Sequence, residues 1–172
     1  ADLEADRRGD QFIMRFCSIA SGSSGNCIYV GSDNTHVLVD IGISGKKMET
    51  GLNSLELTGR DLDGILITHE HSDHIKGLGV ISRKYGIPIY ATGGTVDAMM
   101  RTNALGKIPE GIFHEIREDE SFMINDLKVN PFTIPHDAAQ PVGYRLEHDG
   151  HSVGIATDLG KYNDYIIENL QG

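Results

Sequence analysis

The sequence predicts an α/β fold whose second half turns α+β, with a run of antiparallel strands. Three observations lead there. From Met14 to about residue 100, apolar runs bounded by Gly alternate with stretches of helical spacing. From residue 112 onward, short extended segments succeed one another with turn residues between them. Polar residues able to carry chemistry recur just beyond the C-terminal ends of apolar strands, where α/β folds place their sites. At 172 residues and 39% hydrophobic, the chain suffices for one domain with a sizeable core. No repeat, charge run or linker marks an internal boundary.

Residues 1–13 have no clear periodicity and read as a leader or an appended tail, leaving 14–172 as the domain. Met14–Ala20 alternates as a first strand. The small-residue turn Ser21-Gly22-Ser23-Ser24-Gly25-Asn26 follows, then strands over Cys27–Val30 and His36–Asp40. That turn reads as an ordinary hairpin connection, with an anion-binding nest of backbone N–H groups as the alternative. Asp40 ends an apolar strand, as a turn residue or as an acceptor orienting a ligand histidine. Ser44 caps a helix reaching about Leu57, with Met48, Leu52 and Leu55 on its buried face. Leu62–Ile67 is a buried strand, and Ile75, Leu78, Val80 and Ile81 mark the amphipathic helix that comes after it. Ile87–Ala91 is a further strand, and a helix spans Thr92–Met100.

The later strands are expected over 111–116, 120–124, 127–134, 142–147 and 152–157, with a helix over Lys161–Leu170. His148-Asp149-Gly150-His151 reads as a hairpin tip with solvated histidines. His36 and His114 read as ordinary strand residues.

Between the strand at Leu62–Ile67 and its helix lies Thr68-His69-Glu70-His71-Ser72-Asp73-His74. In an extended segment alternate residues face the same way, so His69, His71 and Asp73 share one cleft, while His74, one step on and entering the helix, points elsewhere and reaches a second ion. Imidazole with carboxylate suits zinc, manganese or iron. Chance would produce H-x-H-x-D-H in roughly one chain in 700 of this length and composition, which favours a metal site over an incidental polar loop. His136 and Asp158 stand at two later strand ends. His136 supplies a third nitrogen beside His69 and His71; Asp158 bridges that ion and one held by Asp73 and His74, or caps the following helix. Two divalent ions sharing a hydroxide hydrolyse esters, amides or phosphodiesters, with Asp73 the carboxylate placed to orient water and accept its proton.

Composition narrows the function classes. The net charge of −10 gives no general attraction for nucleic acid, though a local site carrying two divalent ions is able to hold an anionic substrate. No apolar stretch approaches 18 residues, and no basic region leads an apolar core, so neither a membrane span nor a secretion signal is expected. Cys17 and Cys27 read as reduced core residues of a cytoplasmic protein, not as a disulfide or as ligands.

His69-x-His71-x-Asp73-His74, followed by His136 and Asp158, resembles the signature of the metallo-β-lactamase-fold hydrolases. The resemblance spans Met14 to the end of the chain. It is stronger to the bacterial YycJ-like (WalJ) subgroup, through Phe16–Cys27, Val39–Lys46 and Ile134–Ala139. It implies an αββα sandwich with two divalent ions at the sheet edge, and a cytoplasmic 5′-to-3′ exonuclease acting on DNA. The family pattern closes with one more histidine after further strands and helices. The resemblance therefore implies a C-terminally incomplete sandwich here, its second ion short of one protein ligand. Two other readings share the scaffold: a thioester or lactone hydrolase, and a non-catalytic metal-binding interaction domain. A secreted β-lactamase fits less well without a signal segment, and a di-iron oxygen reductase would carry Glu at the position of His71.

Overall fold

The structure, a computed structural model, describes the backbone of residues 4–8, 11–22, 24–135, 137–158 and 163–170, and the side chains of 14–22, 24–135 and 137–156. A first sheet runs in chain order through β1 (Glu4–Arg8), β2 (Gln11–Ala20), β3 (Cys27–Gly31), β4 (His36–Val39), β5 (Gly64–Leu66), β6 (Ile89–Thr92) and β7 (Phe113–Ile116). The first four strands pair antiparallel through hairpins, and β4 through β7 pair parallel. Parallel neighbours require crossovers. These are α1 (Gly45–Ser54), the pair α2 (Ser72–Ile75) and α3 (Leu78–Tyr85), and α4 (Gly93–Arg101). The second sheet is antiparallel, built from β8 (Phe122–Ile124), β9 (Leu127–Thr133), β10 (Val142–His148), β11 (His151–Asp158) and β12 (Asn163–Leu170) in reverse chain order.

Strand alternation builds two cores from one sheet. Leu38, Ile65, Ile67 and Ile89 face Met48, Leu52, Leu78 and Ile81 of the helices. Val37, Val39 and Leu66 face the other way and join Val129, Tyr144, Leu146 and Ile155 of the second sheet. Strands buried on both faces read as continuous apolar runs, which is why β4 and β5 stand out in the sequence. Each fully buried Leu or Ile contributes about 1.5–3 kcal/mol, so the two cores fix the sheet register firmly. The layers are helix, sheet, sheet. Among the described residues no helix covers the outer face of the second sheet, where Lys128 and Arg145 are exposed.

Several expectations need correction. The sheet starts earlier than Met14: β2 begins at Gln11, and Glu4–Arg8 pairs with it. The helix expected over Lys161–Leu170 is a strand from Asn163, paired with β11 along its whole length; its Tyr165-Ile166-Ile167 suits a pleated surface. The amphipathic helix after the histidine motif breaks into α2 and α3, and Val80 is 53% exposed. The hairpin tip is Asp149-Gly150, both at positive φ, so His148 and His151 pair across the strands and His151 is buried. Cys17 and Cys27 are reduced and buried as expected, and burial raises the Cys27 thiol pKa. No helix among the described residues is long and apolar enough to cross a membrane.

Candidate metal centre

The site forms where β4, β5 and β6 end together. Asp40 N donates to Leu66 O at 2.8 Å, extending the β4–β5 ladder one step past the strands. From the second sheet, Tyr144 Oη donates to Ile67 O at 2.6 Å, and Val142 N donates to Thr68 O at 3.0 Å. Burial holds the Tyr144 hydroxyl well above its ordinary pKa, so it stays a donor. The segment entering the motif is therefore held from both sheets before its first histidine.

His69, His71 and Asp73 each offer a ligand atom within 4.8 Å of the others. His71 is extended, at φ −65 and ψ 147, and caps α2; Asp73 lies inside the first turn of that helix. The strand-like alternation expected through Asp73 thus stops at His71, and the helical turn brings the carboxylate back toward the imidazoles. His74 does not point elsewhere. Its ring centroid is 3.9 Å from that of His69, and its Nε2 is 3.6 Å from Asp73 Oδ2. The four side chains thus form one cluster, and the two expected ion positions adjoin.

One buried carboxylate orders this cluster. Asp40 Oδ1 accepts from Thr68 N at 2.8 Å, and Oδ2 accepts from Thr68 Oγ1 at 2.7 Å and His74 Nδ1 at 2.6 Å. The Thr68 hydroxyl spends its only proton on Asp40, so it accepts from His69 Nδ1 at 2.9 Å. Both imidazoles therefore carry their proton on Nδ1 and turn Nε2 inward, the arrangement a ligand histidine needs. This bears out Asp40 as the acceptor that orients a histidine.

Neighbouring loops close around the motif. Asn26, ending the Gly-rich turn, donates from its backbone N to Asp73 O at 2.8 Å, and its carbonyl accepts from Gly42 N at 2.7 Å. A Cβ on Gly42 would overlap the Asp73 carbonyl, so that approach requires glycine. On the other side, Glu70 Oε2 accepts from Ala139 N at 3.1 Å, and Gln140 caps α4 through Gly94 N at 2.8 Å. The Gly-rich turn is a hairpin connection, as expected, yet it also reaches the site. Sequence reasoning missed Asn26 and Thr68; the only local signal was that Thr68 directly precedes the motif.

The structure brings His69, His71, Asp73 and His74 together. His136 lies outside the described residues, and so does the side chain of Asp158, whose backbone closes β11. Nitrogen and carboxylate donors in this number suit zinc or manganese. Asp73 Oδ2 is buried without a hydrogen-bond partner among the described residues, as expected of an oxygen reserved for a cation.

A family model described as a beta-lactamase superfamily domain matches residues 35–172. The exodeoxyribonuclease YycJ of Bacillus anthracis is 42% identical over 161 residues, covering 92% of this chain and 58% of that protein. The exodeoxyribonuclease WalJ of Streptococcus pneumoniae is 40% identical over 162 residues, covering 92% of this chain and 60% of that protein. The chain thus spans about three fifths of the length of these relatives. Among solved structures, a metallo-β-lactamase of Cronobacter sakazakii superposes with a TM-score of 0.71 at 15% identity, over 85% of this chain and 60% of that one. That likeness concerns the fold alone.

Proposed function

We propose, from the premise that this chain belongs to the β-lactamase superfamily, that it is the metal-dependent hydrolytic domain of a nuclease cleaving DNA phosphodiesters from a strand end. The observation that carries the reading is the His69–His71–Asp73 cluster, with His69 buried and Asp73 Oδ2 without a hydrogen-bond partner among the described residues. His69, His71 and His136 would hold one zinc or manganese ion, Asp73 and His74 a second, with Asp158 shared between them. When bound, the ions polarise the phosphodiester and supply a water-derived nucleophile near neutral pH.

The residues of the chain do the rest. Thr68 and Asp40 hold both imidazoles in one tautomer, so no reorientation accompanies ion binding. Asp73 orients the attacking water and takes its proton; its ligand role lowers its basicity, so orientation is the larger part. Burial of His69 and His74 keeps bulk water from competing. The relatives named exodeoxyribonucleases support DNA as the substrate class over a thioester or lactone.

The test is digestion of end-labelled duplex DNA beside a thioester and lactone panel, using the full-length protein with its ions counted by elemental analysis. Asp73→Asn should retain the fold and lose about 10²-fold or more of the activity, the scale of a lost acid–base group. Cleavage of the thioester panel but not DNA would overturn the nuclease reading. Activity on neither, with ions bound, would make the domain a binding module.

A further inference from the structure

The Asn26 side chain does more than tie its loop. Its Oδ1 accepts from Gly22 N at 3.0 Å, which fixes the amide orientation and turns Nδ2 inward. Nδ2 lies 3.1 Å from His74 Nε2 and 3.3 Å from Asp73 O. His74 Nδ1 gives its proton to Asp40, whose two oxygens already accept from Thr68, so Nε2 of the neutral ring is an acceptor. The Asn26 amide therefore donates to the nitrogen that the second ion would use.

We infer that Asn26 is a hydrogen-bond latch on His74: it occupies the metal-facing nitrogen in the metal-free protein, and an ion reaches the second position only by displacing the amide. The inference rests on the two-ion reading above. His74 is held independently by Asp40 at 2.6 Å and is 2% exposed, so losing the amide does not free the ring. The backbone ties of Asn26 to Asp73 and Gly42 also survive removal of its side chain. What the side chain adds is a competitor. Asn26 is a positioning residue here, acting through His74. It sets a threshold that separates the first ion, bound by His69 and His71, from the second.

Two measurements on the full-length protein test this. In metal-free protein, the ¹⁵N shift of His74 Nε2 should move toward that of an unbonded acceptor nitrogen in Asn26→Ala, with Nδ1 unchanged. In Mn²⁺ calorimetry, Asn26→Ala should bind the second ion about fivefold more tightly, the equilibrium worth of one net hydrogen bond, with the first ion unaffected. Asn26→Asp keeps the acceptor for Gly22 and replaces the donor by a charged oxygen, so it should tighten the second ion further even if the Ala variant folds poorly. A second ion bound equally or less tightly in both variants overturns the latch alone. A single ion in every protein, with the metal-free Nε2 shift also unmoved, overturns the latch and the two-ion reading together.

Discussion

Asp40 adopts φ +64, a left-handed conformation that costs most residues about 1–2 kcal/mol and that Asp and Asn tolerate best. The conformation is held by three hydrogen bonds converging on one carboxylate, and through them two imidazoles take one orientation. Asp40→Asn fits the same backbone but lacks the charge and offers a donor where His74 and Thr68 also donate. Ion affinity should fall about 10–100-fold, as for other partners that orient ligand histidines, and Mn²⁺ calorimetry would register it. Retained affinity in a folded variant would mean that the tautomers are set by the ions themselves.

At the scale of elements, the site is a junction of four chain segments and two sheets, and its tolerances differ sharply by position. Gly42→Ala drives a methyl group into the Asp73 carbonyl, so the β4–α1 and β5–α2 loops have to part. Thermal melting should drop and ion binding should be lost together. Gly86 ends α3 at φ +65 with open space around it. Gly86→Ala should therefore cost only about 1–2 kcal/mol and leave ion binding intact. Tyr144→Phe removes the donor to Ile67 O and leaves a buried carbonyl unsatisfied, an expected loss of about 1–3 kcal/mol in denaturant unfolding. What was legible in the sequence follows the same division. His69, His71, Asp73 and His74 fall within six residues, so local spacing revealed them. Asn26 reaches His74 across 48 positions and Asp40 reaches Thr68 across 28, contacts that no local pattern encodes. Asn163–Leu170 was misread for a related reason. Its strand identity comes from pairing with β11, whereas its own spacing also suits a helix.

For the whole molecule, acid sensitivity has an identifiable contributor away from the site. Burial, aided by Arg15, holds His36 below its ordinary pKa of 6.5, and Tyr29, its own pKa pushed up to about 12 by burial, donates to His36 Nδ1 at 2.6 Å. The unfolded chain thus binds this proton more readily than the folded one. The contribution to stability is complete above pH 6.5 and is lost as pH falls through the lowered folded value. Melting temperature should decline on acidification below 6.5, and His36→Gln should flatten that decline; an unchanged slope would place the sensitivity elsewhere. The junction that holds the motif has a further consequence for synthesis. Domains generally fold as units. Asn26, Asp40 and Gly42 all leave the ribosome before His69, whereas Ala139, Gln140 and Tyr144 come long after His74. One side of the site is thus synthesised before the histidines and the other after them, so the site closes only once Tyr144 has emerged.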